Sequence, residues 1–554
     1  MKNIIIILIS ITLISCKKDK LGYIAENGMV VSARIEASKI GVDILRKGGN
    51  AFDAMIATEL ALAVSYPSAG NIGGGGFMVF RKNNGEIGAL DFREKAPLTA
   101  DENMYIDENG NIIEKLSEEG ALSCAVPGTI AGIFSVHERF GTLPISEIFR
   151  PVIELAENGI VITKKQSDRI SEFHNDFVRI NGNEIIYNRT LKENDTLVNI
   201  NLASTLKKIM KNGKDEFYNG ETAKIFVDFI QDKGGIISLE DMRNYNAVWR
   251  EPHVFQYKNL NIISMPLPSS GGICLNQILK MIEPFDVGQY KHNSKEYVKI
   301  LVEAQKRSFA DRSNFLGDSD FVDVEIKKLV NNSYLEKRMQ DFSFESPTNS
   351  SMIDFGDIYS NESEETTHYS IVDQYGNAVA VTTTLNSTFG SKLYCEELGF
   401  FINNEMDDFS IKPGYPNQFG LIGGEANKII PEKRMLSSMT PTIVENDGKL
   451  YMVIGTPGGS TIITSVLQTI LNIHDFGMGM QESVDAGRFH HQWLPDSIRV
   501  ESSFFDKNIL NDLEEFGYNY YDKGPIGRVD GILIKNNKLE GGADKRGDDA
   551  AYGF

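Results

Sequence analysis

Residues 343–365 read SFESPTNSSMIDFGDIYSNESEE, and TTHYSIVDQYGNAVAVTTTLN follows directly. The first stretch is rich in Ser, Asn, Asp and Glu with little periodicity, the composition of a mobile surface segment. The second holds two β-rich runs on either side of Gln374-Tyr375-Gly376-Asn377, which predicts a hairpin. A threonine pair therefore stands where a polar segment stops and a strand starts. Threonine is common in strands, so one such residue means little. Position adds a second reading. A hydroxyl is a poor nucleophile unless a base sits beside it, and a nucleophile that is the first residue of a chain can use its own α-amine. That amine has a pKa of roughly 8, close enough to neutral to accept the proton. The arrangement needs a peptide cut before Thr366, and an acidic linker ending at Glu365 offers a place for it.

The rest of the chain alternates helical and strand-like stretches. GMVVSA opens residues 28–66, and ASKIGVDILRKGGNAFDAMIATELALAV predicts two helices split at Lys47-Gly48-Gly49-Asn50, where the glycines cap and break. NIGGGGFMVF (71–80) runs four glycines into an apolar strand, a pattern of close backbone approach. GALDFREKAP (88–97) predicts a strand ending in a charged turn. Residues 125–245 read as mostly helical, and 255–265 as one strand followed by the turn PLPSSGG and a helix from about 274. A further helix covers 296–312. KLYMVIGT (449–456) reads as a strand and STIITSVLQTILNI (460–473) as a helix. The pattern is α/β with strands clustered in the C-terminal third and without internal repeats.

The formal charge is 56 − 76 = −20, which argues against nucleic acid or an anionic membrane surface as the main partner. It fits a small-molecule enzyme as well as a protein kept soluble by acidity. MKNIIIILISITLISC has the form of a signal peptide at residues 1–15. Its end, Leu13-Ile14-Ser15-Cys16, resembles the bacterial lipobox, in which the Cys is lipidated. The expectation is an exported lipoprotein of the periplasm or cell envelope, touching the membrane only through a lipid anchor; the alternative is a plain secretory signal. Cys124, Cys274 and Cys395 form no CxxC and are read as buried thiols. The eight His residues show no ligand spacing beyond the pair His490-His491, so no metal is expected.

TTHYSIVDQYGNAVAVTTTLNSTFG resembles the start of the small subunit of γ-glutamyltranspeptidases (glutathione hydrolases), which are N-terminal-nucleophile hydrolases. DFREKAP, NIGGGGFM, PGTIAG, SMPLPSSGG, FADRSNFLGD, INNEMDDFS, KRMLSSMTPT and GTPGGS match that family in order. The resemblance implies an α/β four-layer αββα sandwich, built by a large subunit (16–365) and a small subunit (366–554) after self-cleavage between Glu365 and Thr366. It implies Thr366 as nucleophile, Thr384 as its supporting hydroxyl, and Gly458 and Gly459 as the oxyanion hole. Glycines between a strand and a helix can aim N–H groups outward, and one such donor is worth roughly 3 kcal/mol of barrier. GTPGGST lacks the Lys and spacing of a phosphate loop, so no nucleotide is expected there.

A γ-glutamyl group carries a free α-carboxylate and α-ammonium. Arg93 matches the family's carboxylate-binding arginine, whose planar fork suits a bidentate pair. Asp408 and Glu405 match the acids that hold the ammonium, and Asn386, Ser437 and Ser438 the hydrogen-bonding side chains. Residues 411–434 match a lid loop, with Phe419 where some relatives place a gating Tyr. The implied reaction transfers the γ-glutamyl group of glutathione or a similar compound to water or to an amino acid or dipeptide, with no cofactor. Rival readings are a related amidase (cephalosporin acylase-like or γ-polyglutamate-degrading) and a non-catalytic surface binding lipoprotein.

Overall fold

In a computed structural model the described residues are 21–70, 72–182, 185–353, 366–418 and 420–554. Cys16, Glu365 and Phe419 lie outside them, as do residues 354–365 of the polar segment. Two seven-stranded sheets dominate. One runs in the order Ala550–Gly553, Met29–Ser32, Thr367–Val372, Ala378–Thr384, Gly75–Arg81, Ile87–Phe92, Val248–Arg250. The other runs Tyr23–Ala25, Lys538–Gly542, Asp530–Lys535, Lys449–Gly455, Thr442–Asn446, Leu260–Ser264, His253–Tyr257. Within both, every paired strand is antiparallel.

The central strands are buried at every position, which hides the in–out alternation of a half-exposed sheet. The period of two survives in what each side chain touches. Val379 and Val381 pack with the helices Ile35–Arg46 and Ala51–Ser65, while Ala378 and Ala380 turn to the second sheet, against Ile443, Val453 and Ile532. Alanines on the inner face let the sheets approach closely. The far face of the second sheet carries Ile262, Val444, Met452 and Ile454 into a core with helices Gly271–Ile282, Lys295–Phe315 and Thr461–His474. The order of layers is helix, sheet, sheet, helix: the αββα sandwich.

The break between the first two helices works as expected. Gly48 takes φ +93, and Asn50 caps the next helix, with Asp53 closing a capping box. Cys124, Cys274 and Cys395 are free and buried. One expectation needs correction. Residues 255–265 form a hairpin, His253–Tyr257 against Leu260–Ser264, rather than one strand; its turn contains no Gly or Pro, and Lys258 itself adopts φ +50. Strands are enriched toward the C-terminus as expected, twelve of the twenty-one among the described residues beginning at or after Thr367, but the two main sheets draw on both parts of the chain. Seven of the fourteen in the two sheets precede residue 354, because Met29–Ser32 and Thr367–Val372 must pair side by side to build one sheet from both parts of the chain.

Candidate active site

The hairpin Thr367–Val372/Ala378–Thr384 lies at the middle of its sheet, and its last rung pairs Thr367 with Thr383. One step further along that register, Thr366 and Thr384 come to the same end. Both are almost fully buried and both line one tight cleft of about 20 Å3, together with Arg93, Asn386, Asp408, Ser437, Ser438 and Gly459. Thr384 Oγ1 accepts the N–H of Asn386 at 2.7 Å. This bond holds Asn386 at φ +74, a left-handed conformation that costs an Asn little. Asn386 Nδ2 in turn donates to the Asn404 carbonyl, tying the hairpin to the 402–410 segment.

Gly458 and Gly459 sit between the strand Lys449–Gly455 and the helix Thr461–His474. Their φ values are +134 and +53, and a Cβ on Gly458 would lie 2.5 Å from Thr461 Oγ1. Only glycine takes this path without strain. Their carbonyls accept from Thr461 N and Ile462 N and so begin the helix. Their own N–H groups donate to none of the described residues, as befits donors kept for a ligand.

Charge concentrates around Arg93, which is 1 % exposed. Its Nη1 lies 2.7 Å from Glu405, its Nη2 2.5 Å from Asp408, and Glu94 stands 3.8 Å away. Burial pushes the carboxyls of Glu94, Glu405 and Asp408 above their usual range, and Arg93 pulls each part of the way back. Burial alone would lower Arg93, but the three acids outweigh it and keep the guanidinium charged. The backbone beneath is fixed: Arg93 N donates to Asp91, and the Arg93 carbonyl accepts from Tyr245 Oη and Arg434 Nε. Asp91 itself pairs with Arg250 and Arg434.

Described residues on either side of Phe419 reach the cleft and the acids beside it. Asn417 Nδ2 donates to Asp408 Oδ1, the Gln418 N–H to Asp407 Oδ2, and Leu421 lines the cleft wall. Asp407, not assigned from the sequence, is buried and pushed up to about 7, chiefly by desolvation; Ser117 Oγ donates to its other oxygen. Arg312 was also missed. It lines the cleft from the helix Lys295–Phe315, inside the FADRSNFLGD run that had only served the resemblance. Nothing in the sequence marked it, since an arginine near the end of a helix reads as solvent-facing; in the structure Glu303, Lys306, Arg307 and Asp311 of the same helix are buried too.

The chain as a whole is similar to known proteins. A family model described as Gamma-glutamyltranspeptidase matches residues 37–554. The chain is 44% identical over 536 residues to the glutathione hydrolase proenzyme of Escherichia coli (strain K12), covering 96% of this chain and 92% of that protein. In shape it is similar to cephalosporin acylase from Bacillus halodurans, with TM-score 0.84, 22% identity and coverage of 96% and 97%, a likeness of fold. Helicobacter pylori gamma-glutamyltranspeptidase matches with TM-score 0.57 and 40% identity, over 60% of this chain and 97% of its own.

Proposed function

The chain belongs to the gamma-glutamyltranspeptidase family, and from that premise we propose how its residues run the reaction. It is an enzyme of the glutathione-hydrolysing, γ-glutamyl-transferring kind. The observation that carries the mechanism is one cleft lined by a strand-end threonine, by Gly459 of the Gly458-Gly459 pair, and by a buried arginine facing buried acids.

The first step is self-cleavage. Thr366 Oγ1 attacks the carbonyl of Glu365, the peptide nitrogen leaves as the α-amine of Thr366, and water hydrolyses the resulting ester. Large (16–365) and small (366–554) subunits result. A solved relative whose own chain is matched at 97% spans 60% of this one, and a curated relative is named a proenzyme, which supports the division. In catalysis the freed amine takes the Thr366 hydroxyl proton as the oxygen attacks the γ-carbonyl. The developing oxyanion meets the N–H groups of Gly458 and Gly459. Collapse expels the amine, cysteinylglycine from glutathione, which carries away the proton. Water or the amine of an amino acid or dipeptide then releases the γ-glutamyl group from the ester.

Arg93 and its acids are bound to one another before substrate arrives. A zwitterionic head group replaces that pairing in kind: its carboxylate takes the guanidinium and its ammonium takes Asp408 and Glu405. This exchange keeps every charge compensated in a dry site. It also favours a γ-glutamyl over a glutaryl group, which has no ammonium.

Export and anchoring complete the reading: residues 1–15 are removed and Cys16 carries the lipid, which leaves the enzyme on the cell envelope. The test of the reaction is the purified protein assayed with γ-glutamyl-p-nitroanilide and glutaryl-7-aminocephalosporanic acid. Release of p-nitroaniline with little turnover of the glutaryl compound is expected; the reverse preference would assign the chain to the acylase reading.

A further inference from the structure

Arg312 is a buried cation with an unusual set of partners. It is 4 % exposed, and among the described residues no carboxylate lies within ion-pairing distance of it. Its Nε donates to Ser270 Oγ at 2.9 Å and its Nη2 to Ser438 Oγ at 3.1 Å. Arginine does not deprotonate in proteins, so two neutral hydroxyls hold a full positive charge in a dry wall. A buried charge so placed is costly unless an anion arrives to compensate it. The side chain lines the same cleft as Thr366 and Asp408.

Across the cleft Arg93 is already engaged by Glu405 and Asp408, with Glu94 behind. The cleft thus has two cations of different standing: Arg93 in direct contact with acids, and Arg312 with none at ion-pairing distance among the described residues, Asp408 acting on it only from farther off. A ligand carboxylate gains most where the second charge stands behind its hydrogen-bond donors. Those donors are in place. Ser438 Oγ receives Arg312 Nη2 on one side, so its own proton is free to point into the cleft. Ser270 Oγ donates to the Ser437 carbonyl at 2.7 Å and Ser270 N to the same oxygen at 2.8 Å. Arg312 therefore grips both ends of the Ser437-Ser438 turn: Ser438 directly, Ser437 through Ser270.

We propose that Arg312 is a positioning residue and counter-charge for the substrate α-carboxylate, acting through Ser438, and that it sets the requirement for a carboxylated γ-glutamyl donor. The proposal rests on the γ-glutamyl reading of the site. Arg312 fixes Ser438 as a donor toward the cleft and contributes the charge that Arg93, surrounded by acids, supplies only in part. A relay of this kind acts on the affinity for a carboxylate and leaves the acyl chemistry at Thr366 untouched.

The experiment compares γ-glutamyl-p-nitroanilide with 4-aminobutyryl-p-nitroanilide, its counterpart without the α-carboxylate, on the parent, Arg312→Gln and Arg312→Lys. Loss of one charged hydrogen bond predicts that Arg312→Gln raises KM for the γ-glutamyl substrate roughly ten- to a hundredfold. kcat should change little, and kcat/KM for the 4-aminobutyryl substrate should stay within about threefold of the parent. Arg312→Lys should recover part of the difference. Equal losses on both substrates, or none, would overturn the proposal. A parent inactive on the γ-glutamyl substrate would instead overturn the reading of the site on which it rests. Should Arg312→Gln fail to fold, a double-mutant cycle of Arg312→Lys with Ser438→Ala decides: non-additive effects on KM support the relay, and additive ones refute it.

Discussion

Replacing Arg93 by Met keeps most of the aliphatic stem of the side chain and removes its charged head. Three buried carboxyls, Glu94, Glu405 and Asp408, then lose the cation that lies 2.5 to 3.8 Å from them. Breaking a buried pair from one side costs about 3–5 kcal/mol. The cost depends on pH because the acids can escape it by taking up protons. In the unfolded chain they titrate near 4. In the folded protein burial already raises them, and without Arg93 they rise further. The folded variant thus binds more protons than its unfolded chain, and also more than the folded parent. Stability relative to the parent must then fall as pH rises. With one extra proton held, the deficit grows by about 1.4 kcal/mol per pH unit, or roughly 3 kcal/mol between about pH 5.5 and about pH 8. Urea unfolding followed by fluorescence of Trp249 and Trp493, the chain's two tryptophans, measures this on parent and variant at both pH values. A deficit that is the same at the two pH values, or absent, would show that Arg93 does not hold these acids in check.

Three further outcomes are expected. Gly458→Ala should lower kcat by about 10²- to 10³-fold with KM nearly unchanged in steady-state assays, since a displaced N–H stops stabilising the oxyanion; a normal kcat would remove Gly458 from that role. Thr384→Val loses the acceptor for Asn386 N–H, about 1 kcal/mol, and should reduce kcat/KM about tenfold, whereas Thr384→Ser should retain it; equal activity of the two variants would argue against the hydroxyl. Cys16→Ser should move the protein from the membrane fraction to the soluble fraction of disrupted cells, as read by immunoblot, and an unchanged distribution would count against lipidation.

Local chemistry explains which features the sequence displayed. The hairpin around Gln374–Asn377 was legible because β-rich runs flank a turn with Gly376, which takes φ +87. Gly458 and Gly459 were legible because two glycines between a strand and a helix have few structural uses. The hairpin at 253–264 was not, since its Lys258-Asn259 turn has neither Gly nor Pro and puts Lys258, not Asn259, in the left-handed conformation. The pairing of Arg93 with Asp408 spans 315 residues and came through resemblance alone. Arg312 stayed hidden for a related reason. On a helix a charged side chain reads as a solvated face, and only packing reveals that the helix Lys295–Phe315 buries Lys306, Arg307 and Arg312 within a layer of the sandwich.

Self-activation of Thr366 is tested most directly by the intact mass of the denatured, catalytically active protein beside Thr366→Ala. The active protein should separate into two chains, the smaller beginning with an unblocked Thr366 and containing 554 − 366 + 1 = 189 residues, while the variant remains one inactive chain. Full activity in a protein whose residues 365 and 366 are still joined would contradict it.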